Sequence, residues 1–229
     1  MKISEIALIS FTITTSGTRT KWGYGQPGPD KEVTHSITRI STDDGLEGYS
    51  EQGWPGYFYT PRQDEIDDLV KPLLIGENPL DRERLWQLMS RHNGFSEGLL
   101  GNIDCALWDL AGRMTNLSVS RLLGHARDRI KAYASTAPNL GAPEQYAQHA
   151  LDCKVAGYTA YKVHANIYWD PINKEAAPGR PAFPREDVDI CRAVRKAVGD
   201  DMVLMLDPWG IYTLDEATWV GRQIEELGF

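Results

Sequence analysis

The chain lacks the features that mark secreted, membrane-spanning and disulfide-rich proteins. It has only three cysteines among 229 residues, and this odd count, with the residues far apart in sequence, favours buried thiols in a reducing compartment over a disulfide framework. The N-terminus has no signal-peptide core, and no run approaches the ~20 apolar residues of a membrane span. The sequence therefore predicts a soluble, cytoplasmic protein with no membrane partner. The three cysteines, each inside a predicted helix, are Cys105, Cys153 and Cys191.

Concentrated positive charge is also missing. The net charge is −8 and the basic residues are scattered, which argues against a nucleic-acid partner. An acidic protein that binds an acidic substrate needs a local positive feature, such as a metal ion or a lysine. No glycine-rich phosphate loop follows the first strand of the C-terminal region, so a nucleotide-binding sheet is disfavoured.

The part of the chain up to residue 128 has a mixed pattern of strands followed by helices. Residues 2–14 and 33–42 alternate like strands, and Asp44-Gly45 predicts a turn that returns residues 46–50 as an antiparallel partner. Three apolar helical faces follow, and Pro72 is expected to bend or end the first of them. The pattern predicts an α+β domain over residues 1–128.

Two loops of this domain are rich in glycine and proline, yet they carry aromatic side chains. Exposed aromatics on loops are costly unless they contact a ligand or another subunit. The loops span residues 16–30 and 51–60, and their aromatic residues include Trp22, Tyr24, Trp54 and Tyr57.

From Arg129 onwards, short apolar runs alternate with amphipathic helical patterns. Strands are predicted over residues 130–135, 159–164 and 202–206, and each precedes a helix. Three strand–helix repeats in a row predict parallel strands with covering helices. On spacing alone, an open doubly wound sheet and a β/α barrel both remain possible, because both place polar site residues at the carboxyl ends of their strands.

Lys162 and His164 are the first candidate site residues. They lie two apart at the end of the second strand, so their side chains share one face, with Val163 on the other. A lysine and a histidine facing an apolar sheet are costly unless they are used. The alternative that they merely reach solvent at the strand end stays open at this point.

Asp207 is the second candidate, because it follows four apolar residues at the end of the third strand. Hard divalent cations such as Mg²⁺ take such carboxylate oxygens as ligands, although an aspartate that begins a loop is often only a cap. A base and a carboxylate on neighbouring strands suit proton abstraction beside a substrate carboxylate. The metal neutralises the developing charge while a positioned base takes the proton.

With these residues in place, the chain resembles the enolase superfamily, in its mandelate racemase and muconate lactonizing enzyme branch. The resemblance runs along the whole chain. It includes the helix Asn102–Arg113, the segment Arg121–Gly124, the Lys162-Val-His164 strand and Asp207. It implies that residues 1–128 form an α+β capping domain and that residues 129–229 form the first three units of a TIM-type β/α barrel.

The resemblance also implies the chemistry. Asp207 would bind Mg²⁺, Lys162 would neutralise the substrate carboxylate or act with its neighbour as base, and His164 would be a base. The implied substrate is a small carboxylate, a sugar acid, and the implied reactions are dehydration, racemisation, epimerisation and cycloisomerisation. The loop aromatics would close over the substrate, and a homo-oligomer is expected.

The sequence departs from the family pattern in two residues and in length. His164 stands at the usual second-lysine position; histidine, near pKa ~6.5, needs less tuning than lysine to act as a base. Trp209 stands where asparagine is common and would line the pocket mouth or simply pack. The family barrel has eight units, about 250 residues, and this chain supplies three. A fragment of a longer protein, a barrel completed by another chain, and a non-catalytic interaction module are therefore the alternatives.

Overall fold

The computed structural model describes residues 1–15, 30–51, 59–136, 140–164 and 184–229. These residues form two compact units, described separately below. The N-terminal unit comprises Met1–Thr15 with Lys31–Asp128, and the C-terminal unit contains Arg129–Phe229. No helix in the described ranges is both long enough and apolar enough to cross a bilayer.

The N-terminal unit begins with a three-stranded antiparallel sheet, as the alternating pattern predicted. Strands β1 (Ile3–Thr15), β2 (Lys31–Thr42) and β3 (Glu47–Glu51) lie in the order β1-β2-β3. The β2–β3 turn uses Gly45, whose φ of 86° is one that other residues rarely adopt. The predicted hairpin is thus confirmed.

Helices follow the sheet and cover one of its faces. Pro72 does not end the first helical run: five residues of π-helix precede the proline, and the helix then continues to Leu74. Hydrogen bonds in a π-helix join residues five apart rather than four, and this wider spacing accommodates the proline, which has no N–H to donate. The helical segments are α1 (Gln63–Glu65), a π-helical turn (Ile66–Val70), α2 (Lys71–Leu74), α3 (Arg82–Ser90), α4 (Glu97–Thr115) and α5 (Val119–Leu122).

Helix α4 is the main packing element of the N-terminal unit. Its apolar stripe is buried, and its one buried amide, Asn102, accepts a hydrogen bond from the Thr38 hydroxyl at 2.6 Å. Asp109 accepts a hydrogen bond from the Tyr49 backbone N–H at 2.9 Å, which satisfies a donor on the edge strand β3. The stripe comprises Leu99, Ile103, Ala106, Leu107 and Leu110.

A glycine allows α4 to approach β3 closely. A Cβ on Gly48 would lie 2.6 Å from Leu110 Cβ and against the Ala106 carbonyl. We therefore expect Gly48→Ala to lower the free energy of unfolding by about 1–3 kcal/mol, as for other overpacked sites. Gly101, within α4, is the matched control, since a Cβ there meets nothing within 4 Å. Gly101→Ala should raise stability by up to about 1 kcal/mol in the same urea titration. Equal stability of the two variants would contradict the close packing.

The C-terminal unit is a parallel sheet in which each strand is followed by a helix. The strands lie in the order β4-β5-β6, and both neighbouring pairs are parallel. The predicted alternation is confirmed, with one correction. The first strand is not Ile130 to Ser135: only two residues pair with β5, and Ile130 is 82% exposed. The elements are β4 (Ala134–Ser135), α6 (Pro143–Val155), β5 (Ala160–His164), α7 (Arg185–Val198), β6 (Val203–Asp207) and α8 (Leu214–Glu225).

The core of this unit lies between the sheet and its helices. Tyr161 and Val163, the inward residues of β5, are fully buried against α6 and α7 residues such as Ala150 and Val194. The opposite face of β5 therefore carries the alternate residues, among them the two basic candidates.

All three cysteines are unpaired, as predicted. Only Cys191 is fully buried; Cys153 is partly buried and Cys105 is exposed. The expectation of three buried thiols was therefore wrong for Cys105, because that residue lies off the apolar stripe of α4.

Candidate active site

The candidate site lies at the carboxyl ends of β5 and β6. Strand β5 alternates between buried and partly buried residues, so Lys162 and His164 share the face opposite Val163. Their side chains keep 19% and 12% of their surface exposed. The prediction that the two side chains point the same way is confirmed by this alternation.

Asp207 brings the two side chains together. It ends β6 and is the register partner of His164 in the parallel ladder. Its Oδ2 accepts a hydrogen bond from Lys162 Nζ at 3.0 Å and lies 3.2 Å from His164 Nε2. Lysine, histidine and carboxylate therefore meet at a single oxygen atom, on one face of the sheet.

The imidazole of His164 is oriented by the strand on its other side. Its Nδ1 lies in short contact with the backbone carbonyl of Thr136. A carbonyl only accepts hydrogen bonds, so Nδ1 carries a proton and donates it. The Thr136 hydroxyl also accepts the backbone N–H of His164 at 2.7 Å. Nε2 is therefore the nitrogen left to exchange protons.

Tyr133 and Thr136 are site residues that the sequence reasoning missed. The Tyr133 hydroxyl accepts a hydrogen bond from Lys162 Nζ at 3.2 Å, and its ring lies 5.1 Å from that nitrogen. Both residues flank β4 in the run Ala-Tyr-Ala-Ser-Thr. The rule that found Asp207, polar residues at the carboxyl end of a strand, would have found Thr136 but not Tyr133, which precedes β4.

The surroundings shift the pKa values of the lysine and the aspartate in opposite directions. Burial alone would raise the pKa of Asp207, but hydrogen bonds from the Trp209 backbone and Lys162, with the nearby positive charge, bring it below its usual value. Burial alone would lower the pKa of Lys162, but its bonds to Asp207 and Tyr133 raise it above the usual value. The pair is thus ionised at neutral pH.

This ion pair makes stability depend on pH within a defined window. Asp207 contributes above its unfolded pKa near ~3.9 and loses its contribution as pH falls through the lowered folded value. Lys162 contributes below ~10.4 and loses its contribution as pH rises through the raised folded value. At pH 7, we expect Asp207→Asn to cost about 0.5–1 kcal/mol, a low figure because the carboxylate is partly solvated. In urea titrations, this cost should begin to fall at about pH 4 and should vanish only below the lowered pKa of the Asp207 carboxyl.

Asp189 provides a matched control for that titration. It pairs with Arg192 on the surface of α7 at 3.1 Å, with both side chains more than half exposed. Asp189→Asn should leave stability unchanged within about 0.5 kcal/mol at either pH. A pH-independent cost of Asp207→Asn would mean that the ion pair is not its origin.

The remaining predicted residues divide into one that the structure describes and four that it does not. Trp209 lies two residues after Asp207, with its ring centroid 5.4 Å from that of His164 and its surface 53% exposed. The loop aromatics lie outside the described residues. They are Trp22, Tyr24, Trp54 and Tyr57.

The chemistry of Asp207 fits one ligand position of a hard divalent cation. A carboxylate offers about four lone-pair sites, and protein donors take two of them here: the Trp209 N–H on Oδ1 and Lys162 Nζ on Oδ2. One site on Oδ1 remains. No group of three or more histidine, cysteine or acidic side chains suited to a metal occurs within the described ranges. Asp207 could therefore offer such a cation one carboxylate ligand.

Comparison with known proteins agrees with this architecture. Residues 28–124 match the family described as "Mandelate racemase / muconate lactonizing enzyme, N-terminal domain". Residues 145–229 match the family "Enolase C-terminal domain-like". The arabinonate dehydratase of Saccharolobus solfataricus is 28% identical over 197 residues, which are 83% of this chain and 49% of that protein. A D-galactonate dehydratase family member of Streptomyces bingchenggensis is 30% identical over 212 residues, 82% of this chain and 51% of that protein.

Solved structures match over the full chain. The D-glucarate dehydratase from Agrobacterium tumefaciens, complexed with magnesium, has a TM-score of 0.81 and 34% identity, covering 100% of this chain and 59% of that one. The 3,6-anhydro-D-galactonate cycloisomerase from Zobellia galactanivorans has a TM-score of 0.70 and 28% identity, covering 100% and 57%. The chain belongs to the enolase superfamily, in its mandelate racemase and muconate lactonizing enzyme branch.

Membership of this family identifies the fold of the chain. An α+β capping domain is followed by part of a β/α barrel, as expected from the sequence, and the open-sheet alternative is removed. The chain spans about half the length of the curated relatives it matches. Those relatives are named as dehydratases, which are lyases, and others as a cycloisomerase and an epimerase.

Proposed function

We propose that the protein abstracts the proton next to the carboxylate of a sugar acid, with Mg²⁺ as cofactor, and thereby dehydrates that acid or catalyses a related racemisation or epimerisation. The observation that carries the proposal is the meeting of Lys162 Nζ and His164 Nε2 at Asp207 Oδ2, at 3.0 and 3.2 Å. The Lys162 ammonium, the His164 imidazole and a carboxylate suited to a metal ion therefore lie together at the carboxyl ends of the strands. β/α-barrel enzymes hold their substrates at this edge of the sheet.

We assign Lys162 the role of electrostatic stabiliser. Its pKa is raised through its bonds to Asp207 and Tyr133, so it stays protonated at neutral pH and does not accept a proton. A fixed positive charge beside the substrate carboxylate stabilises the negative charge that develops there as the C–H bond breaks. Tyr133 acts as a positioning residue for this ammonium group.

We assign His164 the role of general base. Its Nδ1 is committed as a donor to the Thr136 carbonyl, which leaves Nε2 to take the substrate proton. The family's usual residue at this position is a lysine, which needs a large pKa shift to act as a base at neutral pH, whereas an imidazole needs little. The replacement therefore keeps base chemistry at the same place on the strand.

Asp207 is the residue of this chain that we expect to hold the metal. When bound, Mg²⁺ would supply positive charge next to the substrate carboxylate and lower the cost of removing the neighbouring proton. The solved D-glucarate dehydratase carries magnesium, which supports the choice of cation.

The experiment is proton exchange on the full-length protein. We would incubate it with Mg²⁺ and a panel of aldonic and aldaric acids in D₂O and follow the signal of the proton next to the carboxylate by NMR. We expect this signal to disappear for at least one acid, with formation of the dehydrated keto acid or the epimer, and EDTA should stop the reaction. Full retention of the proton in every acid at saturating Mg²⁺ would reject the proposal in favour of a non-catalytic module.

We further propose the domain roles that the sequence predicted. Residues 1–128 would act as the capping domain, with Trp22, Tyr24, Trp54 and Tyr57 facing the substrate, and residues 129–229 as the first three barrel units. The boundary between the two compact units, after Asp128, supports this division.

A homo-oligomer is part of the proposal, to be tested by light scattering. The three unpaired thiols support a cytoplasmic location.

A further inference from the structure

Trp209 adopts a backbone conformation that is unusual for a large side chain. Its φ is 55°, and within the described ranges the other non-glycine residue with positive φ is Asn116, which ends helix α4. Asparagine tolerates the left-handed region, but a bulky residue there is an outlier that its surroundings must impose.

The turn after β6 imposes this conformation. Asp207 Oδ1 accepts the Trp209 backbone N–H at 3.0 Å, and the Ile211 N–H donates to the Pro208 carbonyl at 3.1 Å. Gly210 follows with a φ of 70°. Positive φ at both central residues is the signature of a type I′ turn, for which Asn-Gly is strongly preferred. Tryptophan therefore occupies the place where asparagine would be least strained.

Burial of the indole does not account for this choice, because Trp209 is 53% exposed. What the indole does contact is the imidazole of His164. The ring centroids lie 5.4 Å apart with an interplanar angle of 74°, an edge-to-face arrangement. With Thr136 at Nδ1 and Asp207 at Nε2, the indole is a third contact on the imidazole.

We propose that Trp209 is a positioning residue: the turn holds it in a strained conformation so that its indole fixes the imidazole of His164. The proposal rests on the proposed function, since His164 is the base there. The indole would limit rotation of the imidazole about its side-chain bonds and keep Nε2 directed at the site. This matters because a reaction slows greatly when the reacting groups are misplaced by even a small distance. The same turn couples the indole to Asp207, because one carboxylate holds both the backbone of Trp209 and the site's two basic groups.

The test compares two substitutions in the full-length protein. Trp209→Asn keeps the turn and removes the ring, whereas Trp209→Phe keeps an aromatic ring in the strained position. We expect the melting temperature of Trp209→Asn to equal or exceed that of the natural protein, because the strain is relieved. Its His164 imidazole C–H resonances should shift and broaden, while those of Trp209→Phe stay close to their original positions. Trp219→Phe, a partly exposed tryptophan on α8, is the control and should leave them unmoved.

Kinetics provide the second measurement. In Trp209→Asn, kcat should fall by about ten- to a hundredfold with little change in KM, and Trp209→Phe should retain most of the activity. Unchanged His164 resonances together with an unchanged kcat in Trp209→Asn would overturn the proposal. If the resonances shift as expected but neither the natural protein nor the variants turn over any acid, the positioning role stands and the proposed function fails.

Discussion

Replacing His164 with alanine is expected to lower kcat on the responsive sugar acid by about 10²–10⁴-fold, the range for loss of a general base. The imidazole is the group whose Nε2 faces Asp207 while its other nitrogen is bound to a backbone carbonyl. No other described side chain at this edge of the sheet offers a nitrogen free to take a proton, since Lys162 is held protonated by its neighbours. Exchange of the substrate proton with D₂O should fall in parallel, because the same atom would remove the proton in both measurements.

The control is His125→Ala, a histidine of the N-terminal unit that contacts Asp128 and Ser120. It should keep the full rate. Circular dichroism and urea titration of both variants would check that any loss is chemical. A His164→Ala protein that is folded and retains more than about a tenth of the rate would remove His164 from the role of base and transfer it to Lys162.

Asp207→Asn is expected to reduce Mg²⁺ affinity and to lower kcat/KM by at least about a hundredfold. The amide keeps the shape of the side chain and an oxygen acceptor, but it loses the charge that attracts a hard divalent cation. Metal ions contribute several kcal/mol of charge stabilisation to such reactions, and each 1.36 kcal/mol is a factor of ten in rate. The stability cost predicted above is under about 1 kcal/mol, so the variant should be folded while it is inactive.

Calorimetric titration with Mg²⁺ would measure the binding directly. Asp189→Asn serves again as the control, because Asp189 is an exposed carboxylate of the same unit and forms an ordinary surface ion pair. Its Mg²⁺ isotherm should match that of the natural protein. An Asp207→Asn protein with an unchanged isotherm would show that the metal is held elsewhere.

Much of this site was predictable because β-strands have a simple period. Lys162 and His164 were placed on one face by counting two residues, and Asp207 was placed at the same edge by the rule that parallel strands end together. The predicted strand over residues 33–42 also agrees closely with β2. In each case the apolar pattern and the tertiary burial demand the same structure.

Other features depended on information that the pattern does not carry. Strand β4, which lies between Tyr133 and Thr136, was predicted too long, because apolar content alone does not report how many residues find a partner on a sheet edge. The left-handed backbone of Trp209 was not foreseeable, since Trp-Gly is not a recognised turn signal and the conformation depends on a hydrogen bond to a neighbouring carboxylate. The exposure of Cys105 follows from its angle around α4, which a count of cysteines ignores.

The alternation of buried and partly buried residues along β5 links the stability of the sheet to the chemistry of the site. Sliding β5 by one residue along either neighbour would bring Tyr161 and Val163 out of the interior and turn the two basic groups into it. Such a slip exposes large apolar side chains and buries charge, so it is penalised on thermodynamic grounds whatever the substrate. A different side chain at position 164 would therefore point in the same direction, because the buried residues on either side of it fix the orientation of the strand.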